Sequence, residues 1–136
     1  MTTDTRHDRT HDTYQQRAAE VFAALSAPGG AAPWESLEDL APALGDLIKH
    51  GLGGLLGRPQ LDLRTRELAT VCMLAAMGGC DPQLAFHTAG AVRAGASVQE
   101  VVEALMQVSV YAGVPRTLNA LAVARKALAD LPAHDG

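Results

Sequence analysis

The sequence predicts an all-α fold of about six helices joined by short loops. Apolar residues recur at helical spacing along most of the chain, and no stretch shows a clean alternation of apolar and polar residues. Aromatic residues make up only 4% of the sequence, so the core must be built from Ala, Leu and Val. Because β-rich domains draw more on aromatic and β-branched residues, this composition also favours helices.

The length of 136 residues suits a single domain with one core. We predict that this domain covers residues 14–131, between a flexible polar tail of residues 1–13 and a C-terminal tail of residues 132–136. The expected helices run at about residues 14–25, 37–50, 62–77, 82–94, 98–111 and 115–131.

Capping signals set several of these boundaries. Ser36 is a candidate N-cap, and Ser97 with Glu100 has the form of a capping box. Gly78-Gly79 is a stop signal, and Asp81-Pro82 restarts the chain, with Asp81 as the expected cap. The glycines between residues 51 and 57 are expected to loosen the segment after the second helix.

Charge and hydropathy exclude several classes of function. The formal net charge is −4 and no basic block is dense enough for nucleic-acid binding. No apolar run approaches the roughly 20 residues that cross a bilayer, and the polar N-terminal segment lacks the apolar core of a secretory signal. We therefore expect a soluble, cytoplasmic protein. His7 and His11 have helical spacing, but histidines in a polar terminal segment are usually solvated, so no metal site is predicted.

Three phrases occur in order over about half of the chain. The first joins Arg58–Asp62 to Thr65–Leu68, the second joins Gln83–His87 to Gly90-Ala91, and the third joins Gln107–Pro115 to Asn119-Ala120. In these phrases the chain resembles the carboxymuconolactone decarboxylase and alkylhydroperoxidase D-like family. The resemblance implies an alkylhydroperoxidase D-like helical fold, a homo-oligomer (trimer or hexamer), an active site near subunit contacts, and no cofactor.

Cysteine usage separates the branches of that family. The thiol-dependent branch carries two cysteines, which attack and then resolve a peroxide or disulfide. Cys80 occupies the first of these positions, but Gln83 occupies the second, and Cys72 lies eight residues upstream of Cys80. The chain therefore resembles the decarboxylase branch better. A one-thiol peroxidase or reductase that uses Cys80 stays open as an alternative.

The same resemblance implies that His87 is the catalytic acid or base. Loss of CO₂ beside an alkene or carbonyl leaves a dienolate that needs a proton, and imidazole can supply it because it titrates near neutrality. Glu67 precedes His87 by one helix, so an antiparallel hairpin would bring the carboxylate to the ring and orient it.

Other residues are candidates for substrate binding. An arginine can hold a substrate carboxylate by two parallel hydrogen bonds, and three arginines lie in the motif region: Arg64, Arg66 and Arg93. Tyr111 and Trp34 are candidate pocket residues.

The sequence thus predicts a cofactor-independent acid/base lyase for a small unsaturated carboxylate or lactone, acting by decarboxylation or a related isomerisation or cyclisation. Its Ala-, Gly-, Leu- and Arg-rich composition is common in high-GC bacteria, whose genomes recruit such enzymes for secondary-metabolite biosynthesis. The alternatives are the Cys80-dependent redox enzyme and a non-catalytic oligomeric binding module.

Overall fold

The computed structural model describes the backbone of residues 5–132 and the side chains of residues 13–132, and this part of the chain is helical without any β-strand. It contains six α-helices: α1 (Thr5–Leu25), α2 (Pro42–Lys49), α3 (Leu63–Met77), α4 (Asp81–Arg93), α5 (Val98–Ala112) and α6 (Val114–Ala129). A 3₁₀ helix at Glu35–Leu37 and a π-helix at His50–Leu56 complete the set. The predicted all-α class is confirmed. None of the described helices is both long and apolar enough to span a bilayer.

The N-terminal elements differ from the prediction. The helix α1 begins at Thr5, inside the segment predicted as a tail, and residues 133–136 of the predicted C-terminal tail lie outside the described residues. The prediction that Ser36 caps the second helix is wrong. Ser36 lies within the 3₁₀ helix, and its hydroxyl donates back to the carbonyl of Pro33 at 3.1 Å. The helix α2 starts only at Pro42.

The helices form two compact units, which divide between Asp62 and Leu63. In the N-terminal unit, α1 packs against the π-helix, and the closest approach is at Gly53. A Cβ atom at Gly53 would collide with the carbonyl oxygen of Tyr14 and would lie 3.0 Å from the amide nitrogen of Ala18. The glycine-rich segment therefore lets two helical backbones meet, and it is not the loosened chain that was expected.

The C-terminal unit contains α3 to α6 around one core of small aliphatic side chains. Its buried members come from all four helices and the α4–α5 turn: Val71, Ala75, Leu84, Ala91, Val92, Ala96, Val101, Leu105, Val108, Ala120 and Ala124. Side chains of this size permit close helix packing, and they are the residue types that the composition predicted for the core.

Glycines and caps make the turns of the C-terminal unit. Gly78 and Gly79 have φ of 70° and 72°, a left-handed conformation that glycine adopts without steric strain, and they end α3. Cys80, rather than Asp81, is the N-cap of α4. The Ser97 cap is confirmed, since its hydroxyl accepts from the amide of Glu100 at 3.0 Å. These turns place α3 and α4 side by side as an antiparallel hairpin.

The contact at Gly53 yields a stability prediction. Gly53→Ala should lower the free energy of unfolding by about 1–3 kcal/mol, because the added methyl group would push α1 away from the π-helix. The matched control is Gly51→Ala in the same π-helix, where an added Cβ meets nothing within 4 Å. Urea unfolding followed by circular dichroism measures both variants. Equal unfolding midpoints for the two would contradict the packing described here.

Candidate active site

The centre of the candidate site is a hydrogen bond between α3 and α4. Nδ1 of His87 lies 2.7 Å from Oε2 of Glu67. The two residues are 20 positions apart in sequence, and the hairpin brings them together as predicted. The length of the bond is that of a charge-assisted contact between an imidazole and a carboxylate.

The geometry determines which nitrogen of the imidazole is available for proton transfer. An ionised carboxylate only accepts hydrogen bonds, so Nδ1 carries the shared hydrogen whenever Glu67 is ionised. This leaves Nε2 as the nitrogen that can take or give a proton elsewhere, and no other described side chain bonds the ring. The His87 side chain is 18% exposed, and the ring of Phe86 stands edge-on to it with 5.0 Å between centroids. The imidazole is thus held in one orientation and still reachable.

Glu67 is buried completely, with 0% of its side chain exposed. It shares the inward face of α3 with Val71 and Ala75, one and two turns further along. Its second oxygen, Oε1, has no hydrogen-bond partner among the described residues. A buried carboxylate with one free oxygen is unfavourable for folding, and such groups are common at functional sites. Thr88, next to His87, also has a buried hydroxyl without a described partner.

The two cysteines do not form a pair. Both thiols are free, and Cys80 donates to the carbonyl oxygen of Leu74 at 3.3 Å within the hairpin turn. Cys72 donates to the carbonyl oxygen of Ala104 on α5 at 3.4 Å. Burial raises the pKa of the Cys72 thiol, which disfavours the reactive thiolate. Cys72 is therefore poorly suited to resolve a Cys80 intermediate.

The three predicted arginines have different surroundings. The guanidinium of Arg64 forms an ion pair with Glu100 on α5. Arg66 is half-buried on α3, and Arg93 is exposed in the last turn of α4. None of the three lines either of the two cavities described below.

The two aromatic candidates belong to different units of the chain. Tyr111 is 88% exposed and lines an apolar groove of about 330 Å³ between α3 and α5, together with Cys72, Met73 and Gln107. Trp34 belongs to the N-terminal unit, where its ring packs edge-on against Phe22 with 5.6 Å between centroids. Lys49 lies 5.9 Å from the centre of the Trp34 ring, so these contacts give Trp34 a packing role in its own unit.

Sequence reasoning missed one residue beside the hairpin turn. Arg116 on α6 lies against Gly78 and lines a second cavity, of about 350 Å³. The available signal was Gly78 itself, which was interpreted only as a helix stop. Among the side chains of residues 13–132, no group of three or more His, Cys, Asp or Glu residues is arranged to hold a metal ion.

Comparison with known proteins identifies the family. The family model described as "Carboxymuconolactone decarboxylase family" matches residues 42–126, which is more than half of the chain. The chain belongs to the carboxymuconolactone decarboxylase family. The matched segment contains the whole α3–α4 hairpin, and with it both Glu67 and His87.

Two of the relatives found by sequence comparison are named as decarboxylases. The chain is 31% identical over 98 residues to 4-carboxymuconolactone decarboxylase of Acinetobacter baylyi, covering 71% of this chain and 72% of that protein. It is 32% identical over 79 residues to nitrosuccinic acid decarboxylase of Metarhizium robertsii, covering 58% of this chain and 54% of that protein. An uncharacterized 15.0 kDa protein of Paracoccus denitrificans is 31% identical over 97 residues, covering 70% and 72%. These comparisons support a decarboxylase-like enzyme.

The environment of Cys72 predicts its reactivity. In a Cys80→Ser variant, alkylation of Cys72 by iodoacetamide should be slow near pH 8 and should accelerate only as the pH rises above the ordinary range of a thiol, because burial raises the pKa of Cys72. Intact-protein mass spectrometry over a pH series measures the rate. A Cys72 that reacts near pH 8 as fast as free cysteine would show that the thiol is not buried as described.

Proposed function

We propose that this protein is a cofactor-independent acid/base enzyme that removes CO₂ from, or isomerises or cyclises, a small unsaturated carboxylate or lactone. The observation that carries the proposal is the 2.7 Å bond between Nδ1 of His87 and the fully buried Glu67. It fixes one ring nitrogen and leaves the other for a substrate. The names of two relatives support the reaction class, since each describes removal of CO₂ from an acid.

The proposed step needs only one proton donor. The bond between the carboxylate carbon and its neighbour breaks, CO₂ leaves, and the electron pair stays on the substrate as a dienolate. His87 in its protonated form then delivers the proton on Nε2 to that carbon and becomes neutral, and solvent protonates it again. Glu67 acts as a positioning residue, because it holds the ring orientation and stabilises the imidazolium that precedes proton transfer.

The substrate carboxylate requires a cation. We propose that Arg64, Arg66 or Arg93 supplies it, and Arg64 would do so while paired with Glu100. A biosynthetic pathway of secondary metabolism is the proposed setting. It is supported by the composition of the chain and not by a feature of the site.

Replacement of His87 tests the proposal directly. His87→Ala should lower kcat about 10²–10⁴-fold on an unsaturated lactone acid, and added imidazole should restore part of the rate. The assay follows CO₂ release and product mass over a panel of such acids. Cys80→Ser is the control and should retain the activity. Peroxide consumption that depends on Cys80, without turnover of any acid, would instead favour the thiol enzyme.

Glu67 variants refine the same experiment. Glu67→Gln keeps an oxygen that can accept from Nδ1 but removes the charge, whereas Glu67→Ala removes both. The expected order of kcat is wild type, then Gln, then Ala, with KM nearly unchanged because Glu67 does not touch the substrate. A KM effect without a kcat effect would contradict the positioning role. If His87→Ala changes neither turnover nor ligand affinity, the protein is a non-catalytic binding module.

Homo-oligomerisation is the second part of the proposal. Eight large apolar side chains of the C-terminal unit are exposed on α3, α5 and α6. Besides Val98, at the start of α5, they are Met73, Met77, Met106, Val110, Tyr111, Val114 and Leu118. Several of them are four residues apart on one helix and therefore share a face. Exposed apolar surface of this kind is typical of subunit contacts. We propose that a second copy of the chain covers these side chains.

Charged substitutions among these seven residues should dissociate the assembly. Val110→Asp and Leu118→Asp are expected to lower the mass measured by light scattering after gel filtration, because each would bury an unpaired charge in the contact. Val98→Asp is the matched control, since Val98 is also exposed on α5 but lies at its N-terminus, outside this set. A wild-type mass equal to one chain would refute the proposed assembly.

A further inference from the structure

The cavity beside the hairpin turn has a defined architecture. It lies where the end of α3, the Gly78-Gly79 turn and the start of α4 meet α6, and its volume is about 350 Å³. Volumes of this order accommodate small organic ligands. Its inner wall is apolar and includes Ala75, Leu84 and Ala120, which are core residues of the C-terminal unit.

One cation lies at this cavity. Arg116, in the first turn of α6, is exposed and lines it, and no described residue forms a hydrogen bond or an ion pair with its side chain. Asn119 lines the same cavity three residues further along α6, so its amide lies on the same helix face as the guanidinium. The cavity therefore combines a charged donor, a neutral donor and an apolar wall.

The guanidinium lies against a glycine. A Cβ atom added at Gly78 would collide with Nη1 of Arg116 and would lie 2.7 Å from Cζ and 3.3 Å from Nε. Arg116 thus occupies the space that any other side chain at position 78 would fill. Gly79 has nearly the same left-handed φ, 72° against 70°, but a Cβ there would meet nothing within 4 Å.

Asp81 limits the ligands that fit. Its carboxylate side chain also lines the cavity, so a multiply charged anion would be repelled. A ligand with one carboxylate for Arg116, a hydroxyl group for Asn119 or Asp81, and an apolar body for the inner wall matches all three features.

We infer that this cavity is a binding site for a small 2-hydroxy carboxylate with an apolar substituent, and that Arg116 anchors the carboxylate. Neither His87 nor Glu67 lines the cavity. The inference is therefore independent of the acid/base function proposed above, and each can fail without the other.

Mandelate is a suitable probe, because it carries a carboxylate, a neighbouring hydroxyl and an apolar ring. Titration is followed by the ¹H–¹⁵N resonances of the Arg116 side-chain Nε and of the Gly78 and Gly79 amides. In the wild-type protein all three should shift and saturate. Mandelamide, which lacks the charge, and inorganic phosphate, which lacks the apolar group, should bind at least about tenfold more weakly.

Four variants make the test specific. Arg116→Gln should weaken mandelate at least about tenfold, and Gly78→Ala should do the same because it displaces the guanidinium. Gly79→Ala introduces the same backbone strain without touching Arg116, so it should keep the wild-type affinity within about twofold. His87→Ala should also keep it, since His87 lies outside the cavity.

The inference is overturned if mandelate leaves the three resonances in place, if mandelamide or phosphate binds as well as mandelate, or if Arg116→Gln binds like the wild type. An equal loss for Gly79→Ala and Gly78→Ala would overturn the proposed dependence on glycine. Because Arg116 is exposed, its replacement does not threaten folding, so the Arg116→Gln result stands even if Gly78→Ala is unstable.

Discussion

The C-terminal unit depends on the reversal of the chain at Gly78 and Gly79. Two successive residues in the left-handed region end α3 abruptly, and Cys80 at the N-cap with Pro82 in the first turn starts α4 at once. Because the connection is short, α4 must run back antiparallel to α3. Everything else at the candidate site follows from this reversal, because it sets the register at which Glu67 faces His87.

That register places an acid inside a core built mainly of aliphatic side chains. A carboxylate in this environment loses its hydration, and a single hydrogen bond from His87 compensates for only one of its two oxygens. An apolar residue at position 67 would pack as well and would not leave an oxygen without a partner. The family that the chain belongs to contains named decarboxylases, and the acid/base function proposed above would give this unfavourable polar pair a role.

Residues close together in the sequence were sufficient to predict the structural features that depend only on near neighbours. The Ser97 cap, the stop at Gly78 and the α3–α4 pairing all follow from residues a few positions apart or from the order of two helices. Ser36 was misassigned because its hydroxyl had a competing backbone acceptor in Pro33. The glycines near Gly53 were mistaken for a loose segment, since only the packing of α1 reveals why side chains are absent there. Arg116 was missed for the same reason, because its significance lies in its contact with a glycine on a distant turn.

The distribution of aromatic residues has a spectroscopic consequence. Trp34 is the sole tryptophan of the sequence, and it packs against Phe22 within the N-terminal unit. Intrinsic tryptophan emission therefore reports on that unit alone, whereas far-ultraviolet ellipticity sums over the helices of both. Any difference between the two signals on heating or in denaturant directly measures how strongly the folding of one unit is coupled to that of the other.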